Sequence, residues 1–297
     1  MRTYPECFPC FLIQTVRTTS LLGLADEQKY RLLQDVCSYL TGIRTEYPPP
    51  RNVVEIYEMI AQTAGTSDPF RKLKAESTTR ALELLPRLST MMEKAPDRLE
   101  LAVRLAACGN VIDYGVASSY DIERELKQIV DLQFHQWDMD DFISTLDQAE
   151  YLLYLGDNAG ESVFDIPLIE EIQKKGTRVI YVVRGGPIIN DLTMEDAKAA
   201  GLHRLCRVVS TGCNAPGIVF DWCGQEFLDL FQKSPLVISK GQGNFETLFM
   251  EPGTEQTALF FIFKVKCPVV SQFLDAPLGS MLFMRNRREE VADESSG

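Results

Sequence analysis

The sequence predicts an α/β protein: a mostly parallel sheet covered by helices on both faces, preceded by an all-helical first half. Three observations carry that prediction. After about residue 150, short apolar runs alternate with helical stretches; most of those runs end in glycine and polar residues; and few runs before residue 147 read as strands. Apolar strands alternating with helices belong to sheets buried on both faces. In such sheets ligands bind beyond the carboxyl ends of the strands.

The elements follow in order. Residues 26–40 open on acidic side chains and repeat Leu32, Leu33, Val36 and Leu40 at helical spacing. A second helix is expected over 53–64, after the three prolines at 48–50, and a third from Asp68-Pro69 to about Leu85. Residues 99–108 read as a buried helix and 122–132 as a shorter one. Then the pattern changes. Strands are expected at 151–155, 178–183, 205–209, 236–239 and 258–265, with helices at 164–175, 193–200 and 218–231 between them. This divides the chain into a helical domain at 1–147, an α/β domain at 148–284 and a charged tail at 285–297, expected to be disordered.

Bulk properties narrow the function. A chain of 297 residues suffices for one large domain or two. Its net charge of -12 argues against general nucleic-acid binding, which needs clustered Lys and Arg. The same charge repels small anions, so an acidic protein acting on a phosphate ester needs local positive charge from a metal, a lysine or backbone amides. No run approaches the roughly 20 apolar residues of a membrane span, and the N-terminus lacks a signal-peptide pattern, so the expected location is the cytoplasm. The 8 cysteines are expected to be free thiols, mostly in apolar contexts. With only 2 histidines, any catalytic metal must lean on oxygen ligands.

The unusual polar residues lie just after expected strands. Asp157 and Asn158 follow the first, inside Gly-Asp-Asn-Ala-Gly-Glu. One charged and one neutral oxygen at a strand end suit Mg²⁺ or Mn²⁺; a plain turn or helix cap is the competing reading. After the next strand comes Arg184-Gly185-Gly186, where glycines permit close backbone approach to a phosphate, and then Asp191, an acid directly after an apolar stretch, expensive unless solvated, paired or coordinated. Thr193 and Asp196 fit a capping box. Lys240 ends a later strand before Gly241 and Asn244, where it reads as a point charge for phosphate or as a surface lysine. Neither a Walker A loop nor a dinucleotide fingerprint is present. In the helical half, Asn110 and Asp113 share one helical face and read as site residues or as an internal hydrogen-bond pair. Cys7 and Cys10 form a CxxC that can pack, form a redox pair or bind a soft metal, for which two more ligands are needed.

Taken together, GDNAGE, RGGPIINDLTMEDA, STGCNAPG, ISKGQGNFETL and GNVIDYG, behind an N-terminal CxxC, resemble the metal-dependent damage-control phosphatases, over about residues 4–284. The cysteine pair resembles that of the prokaryotic-type subfamily. The resemblance implies a helical region packed on a Rossmann-like three-layer domain. It implies a divalent metal, magnesium or manganese, with cobalt and nickel supporting some members. It places the metal ligands on Asp157, Asn158 and Asp191, the phosphate-contacting lysine on Lys240, and Asn110 and Asp113 beside the site. The implied substrates are small phosphorylated metabolites such as sugar phosphates. The expected reaction is metal-assisted phosphomonoester hydrolysis, with Asp157, Asp113 and Lys240 catalytic and Gly185, Gly186, Gly241, Asn110 and Asn244 near the phosphate. Two rivals remain at this point: carboxyl methyl transfer from S-adenosylmethionine, described for a branch lacking the CxxC, and metal or metabolite binding without turnover. The oligomeric state is not legible.

Overall fold

The computed structural model describes residues 1–109, 132–249 and 251–287. Five helices come first: α1 (Cys7–Leu21), α2 (Asp26–Leu40), α3 (Pro49–Ala64), α4 (Arg71–Lys94) and α5 (Arg98–Cys108). Then follow β1 (Phe134–Trp137), α6 (Met139–Leu146), β2 (Tyr151–Leu155), α7 (Ser162–Lys174), β3 (Arg178–Val183), α8 (Met194–Ala199) and β4 (Arg207–Ser210). The chain continues through α9 (Gln225–Lys233), β5 (Leu236–Lys240), α10 (Gln242–Leu248), β6 (Ala258–Lys264), α11 (Pro268–Phe273) and β7 (Met281–Arg285).

The strands form one seven-stranded sheet in the order β1-β7-β6-β5-β2-β3-β4. All its pairings are parallel except β6 with β7. Period-two alternation assigns its two faces. Leu152 and Tyr154 of β2 join a core with α4, α5, α6 and α7, while Leu153 and Leu155 join a core with α9 and α10 on the other side. Phe142 of α6 meets Phe260 and Phe283 edge-on at 5.4 and 5.3 Å. A separate cluster packs α1, α2 and α3 together and reaches Ile188 in the loop after β3.

The expected α/β class and the helical N-terminal region are therefore both present, with five corrections. The strand β1 lies on the helical side of the division drawn at residue 147 yet pairs with β7, and α4 and α5 share a core with the sheet. The third helix begins at Pro49 because proline suits a first helical turn. The next runs on to Lys94 through Pro86. The helix expected at 218–231 is instead a short 3₁₀ turn, Phe220–Trp222, then α9 starting after Gly224. Arg285, assigned to the tail, closes β7; the rest of that tail from 288, and nearly all of the helix expected at 122–132, lie outside the described residues.

Candidate active site

Parallel pairing of β5, β2, β3 and β4 brings their carboxyl ends side by side, so the polar loops that are distant in sequence meet at one edge. The turn after β2 and the loop after β3 are stitched by an Asn158–Asp191 bridge. The Leu192 amide donates to the Asp157 carbonyl (2.8 Å) and the Ala159 amide to the Asn190 carbonyl (3.0 Å). Thr193 and Asp196 form the expected capping box on α8. Asp196 and Asp68 both pair with Lys74 of α4, at 2.8 and 2.9 Å, a lysine only 1% exposed that ties the helical region to the Asp191 loop.

A buried ionic cluster lies behind these turns. Arg184 donates through Nε to Asp191 (2.7 Å) and through Nη1 to the side-chain oxygen of Asn244 (2.9 Å), and its Nη2 stands 3.7 Å from Asp157. Lys240 donates to Asp165 (2.7 Å) and lies 3.8 Å from Glu161. Asp165 also accepts from the hydroxyls of Tyr154 (2.7 Å) and Tyr181 (2.6 Å), whose rings stack 5.0 Å apart on neighbouring strands. The Asn158 amide donates to Glu161 and, at 3.2 Å, to Asp157.

Four carboxylates, Asp157, Glu161, Asp165 and Asp191, thus face two buried cations, Arg184 and Lys240, with the exposed Lys266 as a further positive charge nearby, so carboxylates outnumber cations. Burial dominates the titration of the carboxylates, and the neighbouring charges modify it. Burial, then the Arg184 pairing that opposes it and the Asp157 charge that adds to it, leave the Asp191 carboxyl above its ordinary range. Glu161 is pushed up by burial and by Asp157, against Lys240. Burial works against the Lys240 ammonium, but Asp165, then Glu161 and Asp157, outweigh it and hold its pKa above the usual lysine value. Burial and the Asp165 charge raise both tyrosines, which stay protonated as donors. Among the described residues, Glu161 Oε2 and Arg184 Nη2 are buried with no hydrogen-bond partner.

These residues fit a divalent cation. Two carboxylates and an amide give hard oxygen donors of the kind magnesium and manganese take, and such ions keep waters that a substrate phosphate replaces. No group of three or more His, Cys, Asp or Glu is arranged as a metal cage among the described residues, which agrees with a site where one donor is an amide.

The other expected site residues fare unevenly. Lys240 is no surface lysine: it is 2% exposed. Gly241 is required at its position, because its φ is +86° and an added Cβ would run into the Asp157 carboxylate. Three expectations are corrected. The Gly185 and Gly241 amides donate to the Cys213 and Ile262 carbonyls (2.8 and 3.0 Å), so they do not face an anion. Gly185 packs against the Gly212–Cys213 backbone and Gly186 against the Asn214 side chain. Asn244 is a brace: it accepts from Arg184 and donates to the Lys240 carbonyl at 2.8 Å. Asn110 and Asp113 lie outside the described residues. Cys7 is buried at the start of α1, its thiol pushed up to about 11 by burial, and Cys10 accepts from Gln14 (3.2 Å).

With that geometry in place, the comparisons with known proteins are decisive. The damage-control phosphatase ARMT1-like domain matches residues 3–282. The chain belongs to this family. It is 37% identical over 296 residues to damage-control phosphatase PH1575 of Pyrococcus horikoshii, covering 97% of this chain and 99% of that protein. It is 29% identical over 287 residues to a damage-control phosphatase of Archaeoglobus fulgidus, covering 95% and 98%. The crystal structure of the Pyrococcus horikoshii protein, described as a DUF89 family protein, superposes with a TM-score of 0.89 at 33% identity, covering 97% of this chain and all of that one. The chain is accordingly a phosphatase of the damage-control family, a family that is in general divalent-metal dependent. Among the described residues no helix is long and apolar enough to cross a membrane.

Proposed function

We propose that Asp157, Asn158 and Asp191 hold a divalent cation, Mg²⁺, Mn²⁺, Co²⁺ or Ni²⁺, at which the chain hydrolyses phosphomonoesters of small cytoplasmic metabolites such as sugar phosphates. The observation that carries this reading is the composition of the buried cluster: carboxylates outnumber cations, and the Asp157, Asn158 and Asp191 oxygens meet at the strand ends. When bound, the cation supplies Lewis-acid stabilisation of the phosphate oxygens. The chain's own residues do the remaining work. Arg184 fixes the Asp191 carboxylate, and the backbone links between the two turns fix Asp157 beside it. Asp165, with two tyrosine hydroxyls, holds the Lys240 ammonium at the inner wall, where its charge supports a bound phosphate electrostatically without standing free in solvent. Asp113 is proposed to orient or deprotonate the attacking water. The CxxC is read as a packed pair, since burial keeps Cys7 protonated and a thiol is a poor ligand.

The test is phosphate release from a panel of phosphorylated metabolites with each of the four metals, beside calorimetric metal titration. Chelation by EDTA should stop turnover. Asp157→Ala should lose both the metal-binding heat and nearly all turnover. A folded, metal-binding Asp157→Ala with full activity would refute the assignment.

A further inference from the structure

Cys213 and Cys223 stand ten positions apart in sequence and come together in the fold. The Gly224 amide donates to the Thr211 carbonyl (2.8 Å) and so lays the two segments side by side. Cys223 packs against the small cluster that holds Cys213. The Cys213 sulfur accepts from the Ala215 amide (3.4 Å), and the Cys223 thiol donates to the Val219 carbonyl (3.3 Å). Cys213, Ala215 and Val219 form a small cluster, and Cys223 bridges it to the core on one face of the sheet. Cys213 is buried, yet it lines a cavity of about 570 Å³ between α3 and the loop after β4, together with Gly212, Asn214 and Trp222.

We propose that Cys213 and Cys223 are a redox-active dithiol, a second chemical site apart from the phosphatase centre, which a hydroperoxide entering that cavity converts to an intramolecular disulfide. The Cys213 sulfur attacks one peroxide oxygen: the S–O bond forms, the O–O bond breaks, and the departing hydroxide takes a proton and leaves as water. The Cys223 sulfur then attacks the Cys213 sulfenic acid: the S–S bond forms, the S–O bond breaks, and the Cys223 proton leaves with the hydroxyl as a second water. Two thiols lose two electrons in all, and one hydrogen peroxide becomes two waters. A small dithiol reductant reverses the change by exchange.

The roles are set by the surroundings. The Cys223 hydrogen bond lowers the Cys213 pKa against the opposing effect of burial, and the Ala215 and Val219 amides and the Arg184 charge add to it. Cys223 is shifted up by that hydrogen bond and by burial, which makes it the resolving partner. By contrast, burial pushes Cys7 and Cys206 up to about 11 and Cys108 to about 12, leaving them protonated.

The test uses the full reduced chain and a small excess of hydrogen peroxide, then thiol blocking, trypsin and mass spectrometry. The tryptic peptide 208–233 holds Cys213 and Cys223 and no other cysteine. It should lose two hydrogens, resist alkylation, and recover on treatment with dithiothreitol. In Cys223→Ser, dimedone should trap Cys213 as the sulfenic acid at least about tenfold faster than the exposed Cys37. Alkylation of both residues in 208–233 while other cysteines oxidise would overturn the proposal. So would a folded Cys223→Ser in which Cys213 escapes dimedone. If that variant does not fold, the peptide map of the unaltered chain decides alone.

Discussion

Asp165→Asn isolates the part of the cluster that the fold itself depends on. The carboxylate is buried and takes three donors, the Tyr154 and Tyr181 hydroxyls and the Lys240 ammonium. Asparagine keeps the shape, removes the charge and replaces one acceptor oxygen with a donor. The Lys240 ammonium is then left in the interior with Glu161, at 3.8 Å, and the Asp157 charge, neither of them hydrogen-bonded to it. Removing one partner of a buried ion pair costs about 3–5 kcal/mol. Against a typical native stability of about 5–15 kcal/mol, that is a large fraction. The assay is urea unfolding followed by circular dichroism, with EDTA present so that metal binding does not enter the comparison. Lys240→Met should cost a similar amount. The double variant, with neither charge, should cost less than the sum of the two by about 1–3 kcal/mol. A loss below about 1 kcal/mol in Asp165→Asn, or single costs that add within about 0.5 kcal/mol, would refute the reasoning.

Three further outcomes follow from the same geometry. Gly241→Ala forces a side chain into a positive-φ position and onto the Asp157 carboxylate, so metal-dependent phosphate release should fall about 100-fold; activity within a few fold of the parent would contradict the contact. Glu246 is buried and its carboxyl is pushed from 4.5 up to about 7 by burial, against a hydrogen bond from Gln242. Between those values the native state holds the proton and the unfolded state does not, so this group's contribution falls as pH rises from 4.5 to 7, by about 3 kcal/mol. Glu246→Gln should lack that slope, read from urea midpoints at about pH 5 and about pH 8; parallel curves for variant and parent would exclude it. Phe142→Ala empties the contact with Phe260 and Phe283 and should cost about 3–5 kcal/mol, measured by the same unfolding experiment.

The turns of the proposed metal site were legible because their signal is local. Asp157, Asn158 and Asp191 are polar residues following apolar runs, and the rule for parallel sheets says where such residues meet. The charged wall behind them was not legible, because each member has a plausible local explanation. Asp165 looks like an acid in the first turn of a helix, Tyr154 and Tyr181 look like ordinary strand residues, and Arg184 looks like part of a glycine turn. Only the register that sets Tyr154 beside Tyr181 shows that both hydroxyls reach one carboxylate. One signal was available: Asp165 sits within the apolar stretch Val163 to Ile169, where an unpaired charge is expensive. β1 and β7 were missed for a different reason. Each is four or five residues long, and the two polar residues of Phe134–Trp137 hide its strand pattern.

The overall charge and the local cluster belong to one argument. At -12 the chain repels a phosphate ester at a distance. Within the site, both buried cations are already engaged: Arg184 by Asp191 and Asp157, Lys240 by Asp165 and Glu161. Neither can turn to a phosphate without abandoning a carboxylate to the interior, at a cost of several kcal/mol. The two buried cations therefore contribute little direct attraction, which leaves a bound divalent ion and the exposed Lys266 to supply it. On this reading the divalent ion serves substrate binding as well as turnover, while Arg184 holds Asp191 in position and Lys240 is held by Asp165.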